Sequence, residues 1–272
     1  MTSRAYRFEE LLSPQSDDPV PPLVFVHVPK TGGTTLNRIL MRNYRYRLDS
    51  YGDSFFPRYH ADEVASLAGP PRDDDTRRPV FFTGHIDVEN EIFDHMPARY
   101  VVVTLLRDPV ERIVSHYSLY SVLHPEAALS PTEFFRQLYP PYQLQHETFA
   151  PRSRSVADAL DTIGNRLSLF GLQHRFDEFV VLLADLLGLP DTLYVRTNTR
   201  PPDAPPVTTA QLDELRVLLA DEIAFYDGAE RLYQQRIETM DHGFASRVES
   251  FRRTNTQNAL CRASEHRWAR FY

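Results

Sequence analysis

The chain has a single cysteine, Cys261, among 272 residues. One thiol closes no internal disulfide and builds no cysteine-based metal cluster, so a reducing, cytoplasmic setting is expected. No run of about 18 apolar residues occurs, which leaves no candidate for a transmembrane segment. The opening MTSRAYRFEELLSPQSDDP mixes charges and lacks the apolar stretch of a secretory leader. Basic charge is also in deficit. Against 37 Asp and Glu stand 30 Lys and Arg, a formal net charge of −7. General polyanion binders carry a basic excess, so nucleic acid is not an expected partner. An anionic ligand would need a local basic pocket. No internal repeat is present.

What is there suits a folded α/β protein. Hydrophobic residues make up 42% and aromatics 12%, which supports a sizeable core and argues against global disorder. Residues 1–22 read as an N-terminal arm ending in the proline-rich DDPVPP, and 23–272 as one domain. Strands are expected at LVFVHV (23–28), VFFTG (80–84), YVVVTLL (100–106) and TLYVR (192–196). Helices are expected over 34–46, 109–123, 176–188 and 208–241, with another after Phe244. The segment 69–79 is a polar loop, and the proline-rich 124–155 reads as short helices and loops. Continuously apolar strands alternating with helices predict a central parallel sheet flanked by helices, a three-layer fold. Ligands of such sheets bind beyond the carboxyl ends of the strands.

Three strand ends carry chemistry. After the first come Pro29, Lys30, Thr31, Gly32, Gly33, Thr34 and Thr35. Glycines let backbone N–H groups approach an anion, the following helix adds free N–H groups, and Lys30 adds a mobile charge. Thr34 or Thr35 would cap that helix. This is a P-loop-like cradle, but its lysine precedes the glycines, so the ATP-binding pattern G-x-x-x-x-G-K-[ST] is absent. The third strand runs into RDPVERIVSHY (107–117). Asp108, Pro109 and Glu111 form a helix start, although a metal-holding role for Asp108 stays open. Arg107 sits just outside the cap, where it opposes the helix dipole unless an anion is near or Glu111 pairs with it. Arg112 and Ser115, three apart, share a helix face, and Arg107 with Ser115 would make a second anion pocket. After VFFTG comes His85, whose ordinary pKa suits a general base.

HVPKTGGTT followed by LLRDPVERIVSHY resembles the sulfotransferases that use 3′-phosphoadenosine-5′-phosphosulfate (PAPS), with the closest likeness to the carbohydrate branch containing the heparan sulfate 2-O- and 6-O-sulfotransferases and their bacterial relatives. Weaker likenesses lie in TGHIDVENEIF, FGLQHRFDEFVVLLADLLGL, VRTNTRP and YDGAERLYQQRI. The resemblance implies that Lys30, Thr31, Gly32, Gly33, Thr34 and Thr35 hold the 5′-phosphosulfate, and that Arg107 and Ser115 hold the 3′-phosphate. His85 would be the base, with His60 of YHADE a rival, and Lys30 would stabilise the leaving oxygen. It implies a hydroxyl-bearing acceptor, a sugar being favoured, and, because a sulfuryl group carries fewer negative charges than a phosphoryl group, no obligatory metal is expected. The competing readings are a P-loop nucleotide kinase and a non-catalytic nucleotide-binding protein on the same fold.

Further candidates are less specific. The aromatic stretches 51–60, 134–143, 221–230 and 267–272 would either stack on an acceptor or fill the core. Arg247, Arg252, Arg253, Arg262, Arg267 and Arg270 form a basic island that would either meet an anion or line a solvated helix face. RTNT (196–199) is a further candidate lining of the site.

Overall fold

The structure is a computed structural model that describes residues 4–12, 21–44, 47–50, 80–96, 99–139, 144–196 and 201–268. Strands β1 (Arg4–Ala5), β2 (Leu23–Val26), β3 (Arg47–Ser50), β4 (Phe81–Gly84), β5 (Arg99–Leu106) and β6 (Leu169–Leu172) form one parallel sheet. Its order is β3–β4–β2–β5, with β1 and β6 both paired to β5. Every residue of β2, β4 and β6 is buried, so both faces of the sheet are covered. That is the environment continuously apolar strands require.

Helices follow the strands: α1 (Phe8–Leu12), α2 (Gly33–Asn43), α3 (Pro109–Leu123), α4 (Pro131–Leu138), α5 (Gln145–Phe149), α6 (Val156–Asn165), α7 (Phe176–Leu187), α8 (Thr209–Leu218), α9 (Ala220–Glu238) and α10 (Phe244–Trp268). Their starts are written locally. Asp108 Oδ1 accepts from Glu111 N–H at 2.8 Å with Pro109 at the first position of α3. Ser130 with Glu133, and Thr208 with Gln211, form reciprocal capping boxes on α4 and α8. A second apolar cluster joins α3, α4 and α8 through Ile113, Tyr117, Phe134 and Leu215.

Three segments differ from the sequence reading. TLYVR is not a strand. Its backbone bonds go to helices: Tyr194 N–H donates to Asn255 Oδ1 of α10 at 2.7 Å, and Leu193 O accepts from Arg42 of α2. The strand position beside β5 belongs instead to LFGL, residues 169–172, which was not expected as a strand. Within the segment read as an arm, β1 pairs with the start of β5, and Phe8 and Leu11 are buried in the main core. Ser168 Oγ joins the two short strands on that edge. It accepts from Val102 N–H at 3.0 Å and donates to Tyr6 O at 2.6 Å.

Candidate active site

Strands β2, β4, β5 and β6 all deliver residues to one cleft of about 520 Å³. That size suits a small organic ligand. The turn after β2 brings Pro29, Lys30, Gly32, Gly33, Thr34 and Thr35; β4 brings His85; β5 and α3 bring Arg107, Glu111 and Ser115. The fourth strand, β6, adds Gln173 and Phe176.

The first loop is shaped by two left-handed residues and one buried side-chain bond. Lys30 adopts φ 68° and Gly32 φ 97°, both left-handed. Thr31 is fully buried, and its hydroxyl donates to Val28 O at 2.8 Å. Gly32 is the N-cap of α2 with no side-chain cap bond, so the positive end of the helix faces the cleft without a capping side chain over it, Thr35 N–H donating to Gly32 O at 3.0 Å. Thr34 and Thr35 therefore do not cap the helix. It starts before them, at Gly33, and both lie in its first turn.

Gly33 is dictated by close approach. A Cβ there would stand 2.1 Å from His27 Nε2. His27 leaves β2 with its N–H still donating to Gly84 O at 2.9 Å, so its ring lies beside that of His85, centroids 4.9 Å apart at 64°. Gly33→Ala is expected to destabilise the fold by about 1–3 kcal/mol, as overpacking does. Thermal unfolding measures it, and an unchanged Tm would contradict the contact.

The cleft is electrostatically positive at this end. The half-buried Lys30 has its pKa pushed below the ordinary lysine value, first by burial and then by the Arg107 charge. Arg107 Nη1 donates to Lys30 O at 3.2 Å, while Nη2 and Nε lie 3.3 and 3.4 Å from Glu111 Oε2. The ion pair weighed against an anion pocket is thus present, yet it is long and its acid is 62% exposed. Such pairs contribute little. Ser115 faces the cleft. Arg112 does not share its outlook: it is fully buried and points to Glu222, at 3.6 Å.

His85 stands at the mouth of the cleft, and burial lowers its pKa from 6.5. That shift favours the neutral imidazole, the form able to take a proton. His116 packs edge-on against Phe134 and Tyr139, and burial, then the charges of Lys30, Arg112 and His85, hold it at about 4.

Eight of the expected site residues line this one cleft: Lys30, Gly32, Gly33, Thr34, Thr35, His85, Arg107 and Ser115. Thr31 does not, because its side chain is turned inward to close the turn. His60 and residues 197–199 lie outside the described residues, whereas Arg196 lines the cleft. The sequence reading missed His27, Gln173, Phe176 and Tyr194. The rings of Phe176 and Tyr194 meet edge to face at 4.9 Å, and Tyr194 OH donates to Asp177 Oδ1 at 2.6 Å. Both are buried in the main core and also line the cleft, which no described residue of the aromatic stretches does. Phe134, Tyr139, Phe225 and Tyr226 are core residues, and 51–60 and 269–272 lie outside the described residues.

Part of the basic island docks α10 onto its neighbours, while Arg253 is exposed. Arg247 pairs with Asp185 at 2.8 Å and Asp241 at 2.6 Å, and Arg252 lies 3.7 Å from Asp177. Among the described residues no group of three or more His, Cys, Asp or Glu is placed to hold a metal, and no helix is long and apolar enough to cross a membrane.

Residues 17–180 match a family model described as Sulfotransferase family. No curated protein matches the chain. Among solved structures, a sulfotransferase from Alicyclobacillus acidocaldarius is similar at 19% identity, covering 75% of this chain and 93% of its own, with a TM-score of 0.46. A mouse sulfotransferase complexed with PAP aligns at 12% identity over 86% of this chain and 90% of its own, TM-score 0.38. A retinol dehydratase in complex with androsterone and inactive cofactor PAP aligns at 14% identity over 88% of this chain and 81% of its own, TM-score 0.35.

Proposed function

The chain belongs to the sulfotransferase family, and on that premise we propose that it moves a sulfuryl group from PAPS to a hydroxyl of a sugar-containing acceptor, with His85 as general base. One observation carries this reading. An ammonium, an imidazole and a guanidinium, each following a neighbouring parallel strand, converge in one cleft at the uncapped start of α2. Among the described residues Lys30 makes no ion pair, which suits a cation kept for a ligand.

In this reading the loop from Lys30 to Thr35 cradles the 5′-phosphosulfate at the start of α2. Arg107 and Ser115 take the 3′-phosphate, Arg107 exchanging its loose contact with Glu111 for a doubly charged partner. His85 removes the acceptor proton, the acceptor oxygen attacks sulfur in line, and adenosine 3′,5′-bisphosphate leaves. Lys30 and the loop amides stabilise the charge that develops on the bridging oxygen. The sulfuryl group carries less negative charge than a phosphoryl group, so a fixed ammonium and backbone dipoles serve without an obligatory metal. Gln173 and Arg196 offer donors to a sugar, and the largely buried Phe176 and Tyr194 line the cleft beside them.

Incubating the protein with labelled PAPS and a panel of hydroxylated acceptors tests the reading. It predicts acceptor-dependent release of the bisphosphate that persists in EDTA. Turnover of ATP that requires Mg²⁺, with none of PAPS, would instead indicate the kinase reading. Tight bisphosphate binding without turnover on any acceptor would indicate a non-catalytic binder.

A further inference from the structure

Arg107 stands where the sheet runs out. In register, β2 ends beside Thr104 and β6 ends beside Leu106, so neither strand reaches the Arg107 backbone. Its polar groups are met by one side chain far along the sequence. Arg107 N–H donates to Gln145 Oε1 at 3.0 Å, and Gln145 Nε2 donates back to Arg107 O at 2.9 Å. The carboxamide thus takes the place of a strand neighbour. Gln145 is fully buried at the start of α5.

The amide is itself anchored. Nε2 also lies 3.3 Å from Glu222 Oε2 of α9. The other oxygen of Glu222 accepts from His146 N–H at 2.9 Å and lies 2.7 Å from His146 Nδ1. Arg112, 3.6 Å from Glu222, reaches toward Pro29 O at 3.5 Å. The buried carboxylate thus holds Gln145 and His146 by hydrogen bonds, and Arg112, whose Nε and Nη2 have no hydrogen-bond partner, links it only loosely to the loop that carries Lys30. The Gln145 clasp on Arg107 is the satisfied part of this buried network, both of its bonds being made.

Resting on the donor reading above, we propose that Gln145 is a positioning residue for the 3′-phosphate: by clasping both main-chain groups of Arg107 it holds that guanidinium at a fixed place relative to the Lys30 loop, and so sets the preference for nucleotides phosphorylated at both ends. A guanidinium on an unclasped backbone would relax toward Glu111, already 3.3 Å away. A ligand lacking the 3′-phosphate would not register the difference.

Calorimetric titration of adenosine 3′,5′-bisphosphate and of adenosine 5′-monophosphate distinguishes this from plain core packing. Gln145→Met keeps the volume, and Gln145→Ala serves as a second variant. Each is expected to weaken the bisphosphate about tenfold or more while leaving the monophosphate within about twofold. In an Arg107→Ala background the same substitution should change bisphosphate affinity by less than about twofold, because the two act as a unit. Equal weakening of both nucleotides, or an undiminished effect in the Arg107→Ala background, would overturn the proposal. A wild-type protein with no preference for the bisphosphate would instead remove the donor reading, and this role with it.

Discussion

Replacing His85 by alanine is expected to lower kcat by about 10²–10⁴-fold while leaving the affinity for adenosine 3′,5′-bisphosphate within about twofold. His85 follows β4 directly and lines the cleft that Lys30 and Arg107 enter. Its ring is held edge-on by His27, itself stacked on Phe25 at 5.0 Å. The sign of the pH effect follows from its surroundings. Burial lowers the His85 pKa below 6.5, so the neutral, proton-accepting form already dominates at neutral pH. The rate should therefore be flat near pH 7 and fall as pH drops below 6.5 toward the depressed pKa. In His85→Ala that acid limb should disappear. His116 does not substitute, because it is enclosed by Phe134 and Tyr139. Should His60→Ala give the inactive protein with intact binding, and His85→Ala an active one, the base assignment moves to His60.

Lys30→Ala is expected to lower kcat/KM by about 10²–10³-fold, the usual loss when one preorganised donor to a developing oxyanion is removed. Lysine and alanine carry comparable strain at φ 68°, so the loop conformation is little altered and the loss reports the ammonium. Arginine should restore little, since its broad planar fork does not reproduce a compact point charge in a half-buried loop. Steady-state kinetics on both variants measure this. A fall of less than about tenfold would mean that the loop amides alone stabilise the leaving group.

The features that were legible in sequence are those written by neighbouring residues. Asp108, Pro109 and Glu111 place the start of α3 to the residue, because capping is a three-residue property. LVFV and YVVVTLL declare central strands because both their faces must be buried. The cleft followed from these, since parallel strand ends share one edge of the sheet. What escaped depends on distant partners. LFGL is as apolar as many helix segments, and only pairing with β5 makes it a strand. TLYVR has strand propensity but is bound by Asn255 and Arg42, some sixty residues downstream and about 150 upstream in sequence. Thr31 matches the loop pattern, yet its buried hydroxyl spans the turn. Gln145 and Glu222 carry no local mark at all; their significance arises from where α5 and α9 meet Arg107.

The most direct measurement is a crystal structure with adenosine 3′,5′-bisphosphate bound. The 5′-phosphate is predicted on the amides between Lys30 and Thr35 and the 3′-phosphate on Arg107 and Ser115, with His85 facing the vacant sulfuryl position. A nucleotide whose two phosphates touch neither loop, or one bound outside this cleft, would contradict the account.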